Sequence, residues 1–180
     1  MYIPVLLGSD HDCTDFDSGQ PVLDDWLRNH AGTVQERGLG RTFVLVEDLS
    51  PTRVLAYYTL AAHVIEQQLL TKKLGRGLPR RLPAVLLGRL ALDRSLHGQG
   101  LGGAVLAEAM ARISHISFDL GARFVVVDAI DVTAASFYRH YGFTPVPDQE
   151  SMRLVQRIKP RVGFRRAQGF LENGPSGTTR

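Results

Sequence analysis

Two hydrophobic periodicities alternate along the chain, and their order predicts its architecture. Thr42-Phe43-Val44-Leu45-Val46 is β-branched and aromatic, which predicts a strand. Asp48-Leu49-Ser50-Pro51-Thr52 predicts a turn, with Val54 to Ala62 as the antiparallel partner. Ala84 to Leu92 is an almost continuous apolar run broken only by Gly88 and Arg89, the pattern of a central strand buried on both faces. Gly88 marks either a bulge or a place where a ligand approaches the backbone. The period then changes: Leu101, Val105, Ala109, Ile113 and Ile116 form one stripe of a helix from Gly100 to about Leu120. Phe124 to Ala129 is another buried strand. Strand, helix and strand of this length make a right-handed crossover, so the two strands are predicted to be parallel neighbours.

Shorter elements fill in around this unit. Residues 2 to 7 predict a first strand, placed at an edge by Pro4. Ser18 is the predicted N-cap of a helix with Pro21 in its first turn and Val22, Leu23, Trp26 and Leu27 at helical spacing; Trp26 reads as core packing. Asn29 to Gly32 interrupts it before more helix to Arg37. Glu66 to Pro83 holds Gly75, Gly77, Pro79 and Pro83 and reads as a mobile loop, a natural substrate gate beside a cofactor site. Thr133 is the predicted N-cap of a short helix, Ala134 to Tyr141, closed by Gly142, and Met152 to Ile158 supplies a last strand. The reading is one α/β domain over residues 2–159 and a basic, flexible tail or partner arm over 160–180.

Composition narrows the classes. The chain has 180 residues, 44% of them hydrophobic, enough for one domain with a core. No apolar run reaches the length of a membrane span, and the first residues lack the basic start and long apolar core of a signal peptide, which predicts a cytoplasmic protein. Cys13 is the only cysteine and lies among Asp10, Asp12, Asp15 and Asp17, whose charge would raise its pKa. The six histidines show no ligand spacing, so no metal is predicted. The net charge of +3 is unevenly laid out. Residues 10–25 hold six aspartates and no Lys or Arg, whereas residues 69–92 hold Lys72, Lys73, Arg76, Arg80, Arg81 and Arg89 and no acid. A second basic run, Arg153 to Arg166, follows. Such runs suit either a polyanionic partner or solvated faces, and composition leaves both open.

The stretch from Leu87 to Gly103 carries the chemistry. Gly98, Gly100, Gly102 and Gly103 lack side chains that would hold a ligand off the main chain, so backbone N–H groups can converge on an anion at the helix start. A P-loop fails, because Gly102-Gly103-Ala104 stands where Gly-Lys-Ser/Thr is needed. The dinucleotide pattern Gly98-x-Gly100-x-x-Gly103 is present, but Asp93 to His97 separate it from the strand. Purely architectural glycines remain a further reading. His97-Gly98-Gln99-Gly100-Leu101-Gly102 resembles the acetyl-CoA pyrophosphate loop of the GCN5-related N-acetyltransferases (GNAT), Gln/Arg-x-x-Gly-x-Gly/Ala. It departs only at His97, which can still donate a hydrogen bond.

Phe137-Tyr138-Arg139-His140-Tyr141-Gly142-Phe143 is similar to the Phe-Tyr-x-x-x-Gly-Phe segment of the same enzymes. The likeness narrows to the GNAT toxins of toxin–antitoxin pairs. It rests on Phe16-Asp17-Ser18-Gly19, Leu23-Asp24-Asp25-Trp26-Leu27, Ala56-Tyr57-Tyr58-Thr59-Leu60, Leu78-Pro79-Arg80-Arg81-Leu82-Pro83 and Leu87-Gly88-Arg89-Leu90-Ala91-Leu92-Asp93. The resemblance implies a mixed, twisted sheet flanked by helices with splayed central parallel strands. It implies acetyl-CoA as cosubstrate, with its pantetheine arm on Leu90, Ala91 and Leu92, its pyrophosphate on His97 to Gly103, and Ser136, Phe137 and Tyr141 flanking it. Tyr138 would be the general acid for the leaving thiolate, with Tyr141 in reserve. Such toxins acetylate the α-amine of aminoacyl-tRNA, block translation, form homodimers, and are neutralised by an antitoxin that often carries a ribbon-helix-helix domain.

The residues support that substrate class separately. A lysine amine, pKa about 10.4, needs a base, whereas an α-amine near pKa 8 is partly neutral already. The strand from Ala84 to Leu92 carries no acid; Glu47, Asp93 and Asp131 are the carboxylates that could reach the site. Lys72, Lys73, Arg76, Arg80, Arg81 and Arg89 would hold tRNA phosphates. The rivals are a GNAT enzyme for a small amine, an antibiotic or a protein N-terminus, and a non-catalytic nucleic-acid or partner-binding module.

Overall fold

The computed structural model describes residues 2–147 and 152–159, so the expected tail from Pro160 onward lies outside the described residues. In chain order the elements are β1 (Tyr2–Leu6), α1 (Pro21–Asn29), α2 (Ala31–Glu36), β2 (Arg41–Glu47), β3 (Ser50–Glu66), α3 (Lys72–Gly75), β4 (Arg81–Leu92), α4 (Leu101–Leu120), β5 (Phe124–Asp128), α5 (Val132–His140), β6 (Thr144–Pro145) and β7 (Arg153–Arg157). The strands form one sheet in the order β1-β2-β3-β4-β5-β7-β6. Every described strand pair is antiparallel except β4 with β5. β1 stands at an edge, as Pro4 requires.

β4 is apolar on both faces because both are covered, and a bulge keeps them so. Thr59 pairs with Arg89 and Leu60 with Leu87, leaving Gly88 as the extra residue. One inserted residue exchanges the two faces of a strand. Before the bulge Val85 and Leu87 pack with Val105, Ala109 and Ile113 of α4; after it Leu90 and Leu92 do. On the other face Leu82 and Ala84 join one cluster, and Ala91 joins Phe16, Trp26, Leu27 and Tyr57 in another.

The parallel pairing is short, and its end opens the molecule. Ala84, Val85 and Leu86 pair with Phe124, Val125 and Val126, and no β5 residue pairs with β4 beyond that. From Arg89 to Leu92, therefore, β4 is paired to β3 on one edge and open on the other. The wedge between the two strands is the splay expected of the fold.

Several local expectations are corrected. Ser18 does not cap α1; Gln20 occupies that position without a side-chain cap, and the Ser18 hydroxyl and N–H both donate to Asp24 instead. Thr133 does not cap α5, because Asp131 accepts from the Ala134 N–H at 2.7 Å. Val22 is exposed and lies outside the apolar face of α1. The segment from Glu66 to Pro83 is less of a loop than its Gly and Pro content predicts. β3 runs through Glu66, residues 67–69 form a 3-10 turn, Lys72–Gly75 is helical and β4 begins at Arg81. Leu70, Gly75 and Leu82 are buried, so packing overrides local turn propensity.

Candidate active site

At the mouth of the wedge lies a cavity of about 600 Å³. One wall is the start of α4. Gly98 and Gly100 have φ of +75° and +72°, and no atom lies within 4 Å of where a Cβ would stand on either. A side chain there would strain the backbone and project into the ligand space. Gly100 is the N-cap and supplies no side-chain cap. Among the described residues no backbone N–H from Gly98 to Gly103 makes a hydrogen bond of good geometry outside the helix. A 20-residue helix thus aims uncapped N–H groups and the positive end of its dipole at open space, which fits a diphosphate.

The floor is the open edge of β4, where Leu90, Ala91 and Leu92 line the cavity. The unpaired amides of that edge suit an extended, amide-bearing chain lying alongside as a further strand would. His97 turns back so that its Nε2 lies 3.0 Å from the Leu92 carbonyl oxygen. Because a carbonyl only accepts, Nε2 carries the hydrogen in this contact. The side chain standing at the Gln/Arg position of the motif therefore fastens the loop to the strand.

The far wall is α5, which brings Phe137 and Tyr138 to the cavity. Tyr138 is 7% exposed, and its ring is held edge-on by Phe137 and Phe143. Its hydroxyl has no hydrogen-bond partner among the described residues. Burial pushes its pKa up to about 12, so the phenol keeps its proton at neutral pH.

The cavity thus gathers Leu90, Ala91, Leu92, His97, Gly98, Gly100, Leu101, Gly102, Phe137 and Tyr138 from the sequence expectation. Gln99, Gly103, Ser136 and Tyr141 are not in its lining. Gln99 donates to the Ser95 carbonyl and Ser136 to the Val132 carbonyl. Tyr141 lies over Gly103, where a Cβ would overlap its hydroxyl, and lines a separate cavity of about 390 Å³ between α4 and the end of β7. Gly103 therefore serves helix packing by making room for that phenol.

Of the carboxylates named as possible bases, two are occupied and one lies at the surface. Asp93 accepts from the Ser95 N–H and hydroxyl and from the Asp17 N–H. Burial would raise its pKa, but these bonds and Arg53 outweigh it and hold the carboxyl below its ordinary value. Asp131 lines the cavity but caps α5, and Glu47 is exposed at the end of β2. Cys13 has a raised pKa, as expected, although burial contributes more than the neighbouring Asp12.

The six basic residues separate into two places. Lys72, Lys73 and Arg76 line an open depression with Gln67 and Gln68, and Arg80 and Arg81 are exposed beside the start of β4. Arg89 is eight positions further along that strand, half-buried against Trp26. It does not belong to the same patch.

Sequence reasoning misses the near end of α1 and the start of α5. Ser18, Gln20 and Leu23 line one side of the cavity, and Ile130, Thr133 and Ala134 the other. No contiguous motif signals them, because they are brought to the cleft from separate stretches by the fold. The α1 side is pinned to β4 by the Asp93 contact to the Asp17 N–H and by the Arg94 N–H, which donates to the Asp17 carbonyl at 2.8 Å.

No protein-family model matches the chain. It is 33% identical over 162 residues to the tRNA-acetylating toxin of Mycobacterium tuberculosis, covering 89% of this chain and 96% of that one. Among solved structures it is similar to AtaT complexed with acetyl-methionyl-tRNAfMet, with 30% identity, 87% and 95% coverage and a TM-score of 0.81. It is also similar to a Tyr-to-Phe mutant of AtaT bound to the C-terminus of its antitoxin AtaR and to acetyl-CoA, with 30% identity, 87% and 93% coverage and a TM-score of 0.75. Two glycine-opened amides at a helix start, a buried phenol facing them across a splayed strand pair, and this degree of likeness over nearly the whole fold place the chain in the family of GNAT acetyltransferase toxins of toxin–antitoxin systems.

Proposed function

We propose that the protein is an acetyl-CoA-dependent N-acetyltransferase that acetylates the α-amine of aminoacyl-tRNA and thereby blocks translation, with residues 2–159 as the catalytic unit. The observation carrying this reading is that the uncapped start of α4 and the Tyr138 phenol face one cavity. The M. tuberculosis relative is a tRNA-acetylating toxin, and the AtaT complexes contain acetyl-methionyl-tRNA and acetyl-CoA.

Acetyl-CoA supplies an acetyl group activated as a thioester. Gly98, Gly100 and Gly102 present backbone N–H groups to its diphosphate, and the open edge of Leu90–Leu92 aligns its pantetheine arm. Tyr138 donates its hydroxyl hydrogen toward the departing sulfur. The proton that the attacking nitrogen sheds passes to the phenolate, directly or through water, so the phenol is restored and CoA leaves as the neutral thiol. A phenol with pKa near 12 is a weak acid but a dependable donor, and no dedicated carboxylate is required for an amine that is partly neutral at pH 7. Transfer is direct, through a ternary complex. Lys72, Lys73, Arg76, Arg80 and Arg81 hold tRNA phosphates away from the cleft.

The partner is an antitoxin, as it is for AtaT, with a ribbon-helix-helix domain as its DNA-binding part, and the toxin is a cytoplasmic homodimer. Incubation with acetyl-CoA and charged tRNA, followed by mass spectrometry of the released aminoacyl-adenosine, tests the reading. One acetyl group on the amino acid is expected. Acetylation of small amines or peptide N-termini with charged tRNA untouched would favour the rival enzyme.

A further inference from the structure

Arg89 differs from the other basic residues in its surroundings. It follows the bulge residue Gly88 on β4 and is half-buried, with its guanidinium carbon 4.0 Å from the centroid of the Trp26 ring. Trp26 is stacked in turn on Tyr57, centroids 6.0 Å apart and planes 14° from parallel, and the Tyr57 hydroxyl donates to the Leu23 carbonyl at 2.8 Å. The platform under the guanidinium is therefore fixed by packing and by a hydrogen bond. No carboxylate or carbonyl among the described residues pairs with it. Asp24, on the same helix as Trp26, is committed to Ser18. Burial without a counter-ion pulls the Arg89 pKa below the ordinary arginine value, a cost that a bound anion would relieve.

Its position says which anion. The neighbouring Leu90 and Ala91 line the cleft, and β4 has no β5 partner here. Ala91, two residues on and on the same face of β4, both lines the cleft and packs with Trp26 and Tyr57, so the guanidinium stands on the face of the sheet away from α4 and the diphosphate loop. In an aminoacyl-tRNA the carboxyl of the amino acid is esterified. The nearest anion to the amine is then the phosphodiester 5′ to the terminal adenosine.

We propose that Arg89, held flat on Trp26, binds the last phosphodiester of the tRNA acceptor strand and so sets the aminoacyl ester against the thioester. This rests on the tRNA-acetylating reading above and assigns Arg89 a task separate from that of the patch at Lys72–Arg81. A guanidinium fits because it offers two parallel donors to a phosphate while its face stays on the indole.

The test compares intact aminoacyl-tRNA with an aminoacylated CCA trinucleotide, which keeps the last phosphodiester and lacks the tRNA body. The wild type is expected to acetylate both. Arg89→Ala should raise KM about 10- to 100-fold on both, with acetyl-CoA affinity by calorimetry unchanged. Arg89→Lys, which keeps the charge and the fold, should recover only a minor part of the loss. Charge reversal at Arg80 and Arg81 should weaken intact tRNA alone. An Arg89→Ala defect confined to intact tRNA, no defect on either, or full recovery by Lys would overturn the inference while the tRNA-acetylating function stood. A wild type that acetylates the tRNA and not the trinucleotide would overturn it likewise, and a wild type that acetylates neither would remove the function itself.

Discussion

The two walls of the cleft are built by opposite means. On the α4 side the ligand-facing groups are main chain: Gly98 and Gly100 in left-handed conformations and amides with no side-chain cap. On the α1 side Ser18, Gln20 and Leu23 line the cleft, and behind them side chains hold one another: Arg89 on Trp26, Trp26 on Tyr57, and Tyr57 against Phe16 at 5.6 Å. The first wall tolerates little change in residue type but is encoded in one short stretch. The second is assembled from positions 16, 26, 57 and 89, which only the fold brings together. On the proposed function, the first side would hold a coenzyme of fixed shape through main-chain geometry, and the second would meet a large polyanion through the charge of Arg89.

The largest expected effect falls on the group between the walls. Tyr138→Phe removes a donor that has no protein partner to lose, so acetyl transfer should fall about 10²- to 10⁴-fold, with acetyl-CoA affinity and thermal stability little changed. Single-turnover kinetics checks this, and a fully active variant would remove Tyr138 from the reaction. Next is the main-chain wall. Gly100→Ala places a Cβ at φ +72°, a conformation costing roughly 1–2 kcal/mol; the free loop relieves that strain by leaving the conformation and must regain it to bind, so acetyl-CoA affinity should drop about tenfold by calorimetry. Binding as tight as in the wild type would show that the loop is not the diphosphate site.

Charge reversal at Arg80 and Arg81 should act on the tRNA alone. It should lower apparent affinity and reduce the slope of log K against log salt by about one for each phosphate that is no longer neutralised. An unchanged slope would detach that patch from RNA binding. The pH profile sharpens the comparison further. Because Tyr138 keeps its proton to about pH 12, kcat/KM should rise as the α-amine loses its proton near pH 8 and then stay level to about pH 11. A descending limb below pH 10 would demand another acid. The smallest effect is structural. Asp93 has a lowered folded-state pKa, so its contribution is present above the unfolded value near 3.9 and disappears as pH falls through the folded value. Asp93→Asn should flatten stability against pH in that acid range, and a denaturation series at several pH values reads it.

What is legible in the sequence follows the same division. β4, α4, β5 and their parallel pairing are readable because each is a long apolar pattern of one period; Gly88 reads equally as a bulge or a ligand approach, and the strand register shows the bulge. The glycine loop and the Tyr138 helix are readable as contiguous motifs. The true caps escape a reading by residue type because Ser18 and Thr133 stand near competing carboxylates, Asp24 and Asp131, that accept hydrogen bonds more strongly. The region from Glu66 to Pro83 misleads because its Gly and Pro residues punctuate a segment whose Leu70 and Leu82 are nonetheless buried. Charge alone groups Arg89 with Arg81, and only strand geometry separates them.

The central claim is that acetyl-CoA lies along the β4 edge with its diphosphate on the amides of α4. Titrating acetyl-CoA into isotope-labelled protein and following backbone amide resonances tests it most directly. The account predicts the largest shifts at Gly98 to Gly103, smaller ones at Leu90 to Leu92, and little change at Lys72, Lys73 or Arg76. Shifts centred on the Gln67–Arg76 depression or on the cavity beneath Tyr141, with the glycine amides unmoved, would contradict it.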